Sequence, residues 1–213
     1  MNEGLENLSA IAIETAVKRA GLSPLANGCA EQFSSYGELL VRWNAKLNLT
    51  AIRNPQEIIQ RHFVESIFCA QNLPSEIVTL LDYGSGAGFP GIPIALCRPE
   101  ISVTLAESQG KKASFLREAV RTLGIDAEVF SGRVEAMAMS HAFDAVVMRA
   151  VDKMQRAVED ALLRVRLGGW LALLSSSGMI ALPSNFVASE MRIPGSRAGI
   201  LILARRSTFH VEQ

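Results

Sequence analysis

Residues 79–91 read TLLDYGSGAGFPG, and no other stretch constrains the fold of this chain as strongly. Ile77, Val78, Leu80 and Leu81 form a short apolar run suited to a buried strand, and glycines follow at alternate positions, Gly84, Gly86 and Gly88. Glycine accepts positive φ and lacks the Cβ that would hold a ligand off, so a strand ending in this loop brings its backbone close to whatever binds. Pro90 and Pro93 suit the first turn of a helix, where a missing amide costs nothing. The spacing therefore predicts free N–H groups and the positive end of a helix dipole beside the loop, a place for a carboxylate or phosphate.

From Ile77 onward strands and helices alternate, which predicts a mostly parallel sheet with helices on both faces. Further strands are expected at Val103 to Ala106 (ending at Glu107), Ala127 to Phe130, Phe143 to Met148 and Trp170 to Leu174. Helices are expected at Lys111 to Leu123 and at Asp152 to Arg166. A closing pair of strands, Val187 to Ile193 and Ile200 to Ala204, turns at Pro194-Gly195. Residues 5–73 instead carry helical spacing. Leu8, Ile11, Ala12, Thr15 and Ala16 form a first apolar face; Phe33, Tyr36, Leu40, Trp43 and Leu47 form a second, assigned to core. Asn54-Pro55 begins a third helix, in which His62 sits among apolar neighbours and reads most simply as a core histidine. The expected organisation is an N-terminal helical lobe, 1–75, packed on an α/β core, 76–213.

Composition narrows the function classes. At 213 residues and 49% hydrophobic content the chain can bury one substantial core. It has no run of about 18 uncharged apolar residues, so no membrane span is expected, and acidic residues at the N-terminus argue for a cytoplasmic protein. Cys29, Cys69 and Cys97 lack metal-ligand spacing, so buried thiols are expected and no metal site. Formal net charge is zero. Basic residues nevertheless outnumber acidic ones six to two across 161–213, while 1–40 carry two basic against five acidic, which permits a basic face.

Open parallel sheets bind ligands beyond the carboxyl ends of their strands, near the point where strand order reverses. The candidate loops are Gly84 to Phe89, Glu107 to Gly110, Arg133 to Glu135 and Arg149 to Lys153. Two ligand classes fit the first. Gly86-x-Gly88-x-x-Gly91 matches a dinucleotide loop, while Asp82-x-Gly84-x-Gly86-x-Gly88 matches the loop that binds S-adenosylmethionine (SAM) in methyltransferases. Asp82 favours SAM, whose sulfonium and ammonium it can balance; Glu107 would reach a ribose diol in either ligand. The closing strand pair and the lack of a second substrate domain also favour SAM over a dehydrogenase.

A set of motifs in a fixed order is more specific. It comprises Asn44-x-x-Leu47-Asn48-Leu49-Thr50-Ala51-Ile52, Arg61-His62-Phe63, Gly84 through Pro93, Gly110-Lys111-Lys112, Gly132-Arg133-Val134-Glu135 and Arg149-Ala150. Over residues 35–175 the chain resembles the bacterial ribosomal RNA small subunit methyltransferase G family. That resemblance implies a class I SAM-dependent methyltransferase fold, Rossmann-like with a seven-stranded sheet. It also implies methylation of N7 of a guanine in the 530 loop of 16S rRNA, with SAM as donor and the small ribosomal subunit as partner. A monomer is expected.

Family cofactor contacts carry over to Gly84, Phe89, Val134, Glu135 and Arg149; Ser85, Gly86, Gly88 and Arg133 share their loops. Asn48 to Thr50 and Arg61-His62 are expected to cover the same pocket, and Arg197 fits a family arginine near RNA. Arg149 would orient base or cofactor, the alternative being an ion pair with Asp152 or Asp144. Lys111, Lys112, Arg42, Lys46 and Arg53 are candidate phosphate contacts. One departure stands out: Leu173-Leu174-Ser175-Ser176 replaces the family's Ala-Leu-Lys-Gly, so Ser175 stands where a lysine is expected. The chemistry agrees by exclusion. Met148-Arg149-Ala150 is not the Asn/Asp-Pro-Pro-aromatic motif of amino-group methylation, and no cysteine nucleophile lies nearby. Guanine N7 has a free lone pair and needs no general base.

Overall fold

The computed structural model describes residues 8–138, 141–149, 154–176 and 180–208. Seven strands form one sheet: β1 Thr79–Tyr83, β2 Ser102–Glu107, β3 Ala127–Ser131, β4 Phe143–Arg149, β5 Val165–Ser175, β6 Phe186–Arg192 and β7 Ile200–Arg206. Their order is β3-β2-β1-β4-β5-β7-β6. The first five strands pair in parallel, and β7 runs antiparallel to both β5 and β6. Strand order reverses between β1 and β4, where Asp82 lies opposite Leu105 on one side and Val147 on the other.

The two-residue period of the strands divides the interior into two layers. Leu80, Val103, Leu105, Ala145, Val147, Ala172 and Leu174 face a core shared with the N-terminal helices. Their neighbours Leu81, Ala106, Val146, Met148, Leu171 and Leu173 face the other way, onto Ala157, Val158 and Ala161. The first face carries five helices: α1 Ala10–Arg19, α2 Cys29–Leu47, α3 (residues 55–72), α4 Gly91–Cys97 and α5 Gly110–Leu123. Among the described residues the second carries α6, Met154–Leu162.

Local chemistry sets the helix ends. Ser9 caps α1 by accepting from the Ala12 amide at 3.4 Å, and Asn54 caps α3 by accepting from Glu57 at 3.1 Å, with Pro55 in the first turn. α3 is composite. After Pro55–Glu57 it widens into a π-helical segment, Ile58–Val64, and then continues as Glu65–Asn72. Residues 62–67 are all buried, so the wide turn carries His62 and Glu65 inward along with Phe63 and Ile67.

Two expectations are corrected. The buried side of α1 is Ile13 and Val17, with Leu8 just before the helix; Ile11 is 76% exposed, being two residues and about 200° away from Ile13. The helix expected at Asp152 to Arg166 ends at Leu162, while its expected start lies outside the described residues. Residues 165–169 belong to β5. Phe143 pairs with Val165 but Ala145 pairs with Trp170, so the extra length bulges at Gly168 (φ +73°), and Gly169 lies against the Asp144 carbonyl, leaving no room for a Cβ.

Candidate active site

The glycine loop is held by its own backbone. Ser85 N–H donates to the Ala106 carbonyl at 2.9 Å, tying the loop to β2, and the Ser85 carbonyl accepts from Gly88 (2.7 Å) and Phe89 (3.2 Å). Its hydroxyl donates to the Asp82 carbonyl at 3.1 Å. Glu107, at the end of β2, accepts from Gly86 N–H at 3.0 Å and from Gln109 N–H at 2.7 Å. One carboxylate thus bridges two of the predicted loops.

The glycines divide their work. At Gly86 (φ +58°) an added Cβ would meet only the Gly84 carbonyl, at 3.8 Å, and at Gly84 nothing within 4 Å. Both therefore face open space. A Cβ on Gly88 would come within 2.7 Å of the Tyr36 hydroxyl, so that glycine serves packing beneath the loop.

The open space is a cavity of about 790 Å³ at the carboxyl ends of β1, β2 and β3. Tyr83, Gly84, Ala106, Glu107 and Ser108 form one wall, Gly132 to Glu135 another, and Arg156, Ala157 and Asp160 of α6 a third. Of the residues expected at a cofactor, Gly84, Glu107, Arg133, Val134 and Glu135 come together here. Gly86, Gly88 and Arg149 are not among its lining, and neither are Asp82, Ser85 and Phe89, which are 1%, 2% and 6% exposed and support the loop from below.

Asp82 corrects two expectations at once. Its Oδ2 accepts from Gly91 N–H, the first amide of α4, at 3.0 Å. The helix terminus expected to receive a ligand anion is thus taken by the chain's own carboxylate, and the aspartate expected to balance a cationic ligand is sealed beneath the loop. Burial raises its pKa to about 7 against the hydrogen bonds that favour its charge.

The layer under the loop is aromatic and polar. Tyr36 donates to the Ala87 carbonyl, and His62 stacks on Phe89 with centroids 4.5 Å apart at 12°. His62 Nε2 hydrogen-bonds Thr50 Oγ1 at 2.9 Å, and Thr50 is itself fixed by paired 3.0 Å bonds with Asn44. Burial, with Arg149 and Arg61 nearby, lowers the His62 pKa to about 3, so the ring is neutral. Asn48 is exposed, ends α2 at φ +47° and accepts from Arg53.

Arg149 pairs with neither Asp144 nor, among the described residues, any other acid of its own strand. It donates to Glu65 Oε2 at 3.0 Å and to the Arg61 carbonyl, both on α3. Burial weakens both charges, raising the Glu65 pKa and lowering that of Arg149. His62 Nδ1, Asp82 Oδ1 and one terminal Arg149 nitrogen are buried with no hydrogen-bond partner among the described residues. Residues 150–153, the rest of that expected loop, lie outside the described set. Lys111 and Lys112 open α5, Arg197 is exposed in the β6–β7 turn, and Ser175 ends β5 opposite Ile200; none of them lines the cavity.

Sequence reasoning missed Tyr83, Arg156 and Asp160, which line the cavity, and two residues that brace its surroundings. Glu65 was detectable as the acid four residues after Arg61. Arg164 is 3% exposed and donates to the carbonyls of Val134 (2.9 Å), Met137 (3.0 Å) and Ala138 (2.7 Å), fixing the turn Val134–Ala136 that walls the cavity. Its acceptors are backbone atoms, which leave no trace in side-chain identity.

The family described as rRNA small subunit methyltransferase G matches residues 29–178. The chain belongs to this family. A ribosomal RNA small subunit methyltransferase G from Xanthomonas axonopodis pv. citri is 40% identical over 170 residues, covering 75% of this chain and 78% of that one. The protein of that name from Alkalilimnicola ehrlichii is 42% identical over 159 residues, covering 74% and 71%. Solved structures agree on the fold. An rRNA methylase from Streptococcus thermophilus superposes with TM-score 0.50 at 18% identity, covering 67% of this chain and 93% of that one. P. horikoshii TYW2 in complex with MeSAdo gives 0.53 at 12%, covering 68% and 62%. Membership of a methyltransferase family removes the dinucleotide reading of the loop.

Proposed function

We propose that this protein transfers the methyl group of SAM to N7 of a guanine in the 530 loop of 16S rRNA. Family membership carries the coarser statement on its own: the chain is a SAM-dependent methyltransferase of small-subunit rRNA. The observation that carries the site is the cavity lined by Gly84, whose missing Cβ leaves the backbone open to a ligand, with Gly86 of the same loop also unobstructed.

The residues present fit SAM. A volume of about 790 Å³ lies within the roughly 300–1,000 Å³ of small-molecule sites. Glu107, Glu135 and Asp160 face it with Arg133 and Arg156, a set able to meet the two cations, the carboxylate and the ribose of this cofactor. Gly84 and Gly86 would hold the amino-acid end, Glu107 the ribose, and Val134 and Glu135 the adenine, with Arg133 at the rim. When bound, SAM would supply an electrophilic methyl carbon that the N7 lone pair can attack without a general base, the neutral thioether S-adenosylhomocysteine being the leaving group.

The chain's own task is alignment and exclusion of water, so the rate gain comes from proximity and orientation. The buried groups support this. His62 is too weakly basic at a pKa of about 3 to act as a base near neutrality, and Cys29, Cys69 and Cys97 lie on α2, α3 and α4, away from the cavity lining. Arg149, steered by Glu65 and the Arg61 carbonyl, would orient the acceptor side, with Asn48, Thr50 and His62 covering it. Residues 1–75 would then serve as the acceptor-facing lobe and 76–213 as the cofactor domain. The target base would be unstacked to enter, with Lys111, Lys112 and Arg197 as phosphate contacts. We further read the protein as a cytoplasmic monomer; no described helix is long and apolar enough to cross a membrane.

The test is incubation with labelled SAM and small subunits from a strain lacking the modification, followed by mapping of the label. The expected product is one methyl per subunit at a 530-loop guanine N7. Label on another nucleotide would overturn the site assignment, and no label in rRNA would overturn the proposal.

A further inference from the structure

A second concavity, of about 550 Å³, lies between α2 and α5. Trp43 and Leu47, one helical turn apart, form its floor, and Trp43 meets Phe115 edge-on at 5.7 Å and 65°, so its ring is anchored and half-buried. Arg42, Lys46 and Lys111 stand around it with a single carboxylate, Glu118. That carboxylate lies 3.7 Å from Arg42, whose side chain is 67% exposed, so the pairing is loose. Lys46 and Lys111 are exposed and make no ion pair among the described residues.

We infer that this groove holds a single-stranded nucleotide of the rRNA substrate, its base against Trp43 and its phosphates on Lys46 and Lys111. The inference rests on the rRNA reading above and deepens it. Three features favour this occupant. A fixed aromatic floor inside a cationic rim is the combination that binds single-stranded nucleic acid, because every base offers a π face and every nucleotide a phosphate. The excess of positive charge is unmatched by the protein itself, and a neutral apolar partner would leave it so. Placement is the third. Lys111 follows Ser108 by three residues, a span of at most about 11 Å, and Ser108 lines the cofactor cavity. A strand seated in the groove would therefore pass close beside the cofactor cavity, and would help hold the substrate RNA against the enzyme.

The test measures binding of a fluorescent, protein-free 16S rRNA fragment carrying the 530 loop, across a salt series, beside SAM affinity by calorimetry. Lys46→Glu with Lys111→Glu should weaken rRNA binding at least tenfold and flatten the log–log salt dependence by about 0.7 per charge removed. Trp43→Leu keeps an apolar contact with Phe115; it should weaken binding severalfold with the salt slope unchanged. SAM affinity should stay within twofold in all three proteins, wild type included, which separates a binding defect from misfolding. RNA affinity within twofold of wild type in both variants would overturn the inference. So would normal affinity for the free fragment combined with weakened binding to whole subunits, which would assign the groove to a ribosomal protein. A wild-type protein that transfers no methyl group to rRNA would overturn the function proposal instead.

Discussion

Two aspartates at opposite ends of the sheet face contrasting environments. Asp144, near the start of β4, accepts from Val78 and Thr79 amides at 2.9 and 2.8 Å and from Arg166, while its own amide donates to Thr79 Oγ1 at 3.0 Å. Burial opposes its charge, but those donors outweigh burial and its pKa falls below the ordinary range. Asp82, near the end of β1, has one oxygen on Gly91 and the other on nothing among the described residues, and its pKa rises to about 7. Asp144 is a closed structural joint, although Arg206 Nε, beside Val165 at the same end of the sheet, is also buried without a partner among the described residues. The carboxyl end gathers more such capacity, at Asp82, His62 and Arg149, as expected where a site must answer to groups that arrive from outside.

The largest expected break in this contrast is Glu65→Ala. It strands the Arg149 guanidinium in a buried setting, so it should cost about 3–5 kcal/mol in urea unfolding, and the double variant with Arg149→Ala should recover part of that loss. Arg149→Ala alone should lower turnover more than it lowers stability. Gly86→Val comes next. It should weaken SAM binding about 100-fold by calorimetry, near 2.7 kcal/mol, because a branched side chain at φ +58° strains the glycine loop and adds bulk on its open side. Asp144→Asn should cost about 1–3 kcal/mol of stability yet leave SAM affinity within twofold. If it impaired cofactor binding as Gly86→Val does, the two ends would not differ in kind.

The finest test is the pH profile. Asp82 keeps its proton in the folded state up to about pH 7 but loses it near 4 when unfolded, so its contribution to stability is present at low pH and lost as pH rises from about 4 to 7. His62 resists protonation down to about pH 3 but accepts a proton near 6.5 when unfolded, so its contribution is present above about 6.5 and lost as pH falls. The two oppose each other between about pH 4 and 6.5. Relative to wild type, Asp82→Asn should make stability rise more steeply with pH in that window, and His62→Gln should make it fall. Parallel curves for all three would mean that neither group titrates as its burial requires.

Much of this was legible because it rests on period and punctuation. Short apolar runs mark β1, β2 and β4, Gly124 stops α5 where expected, and Pro194-Gly195 sits in the β6–β7 turn. What the residues hid was direction. Asp82 and Glu107 are both acids beside the same glycine loop, yet one points beneath it and the other lines the cavity, a choice made by strand pleat and by which amide is nearest. Arg149 and Glu65 are 84 residues apart, and their meeting depends on a π-helical turn that no spacing rule anticipates. β5 begins earlier than its Gly168-Gly169 pair suggested, because glycine there relieves a bulge and does not end a helix.

The most direct test of the central claim is a crystal structure of the protein with S-adenosylhomocysteine, the demethylated product of SAM. The account requires the ligand to lie along Gly84 and Gly86, with Glu107 at its ribose and Val134 and Glu135 at its base. A ligand bound elsewhere, or a cavity that stays closed at saturating concentration, would contradict it.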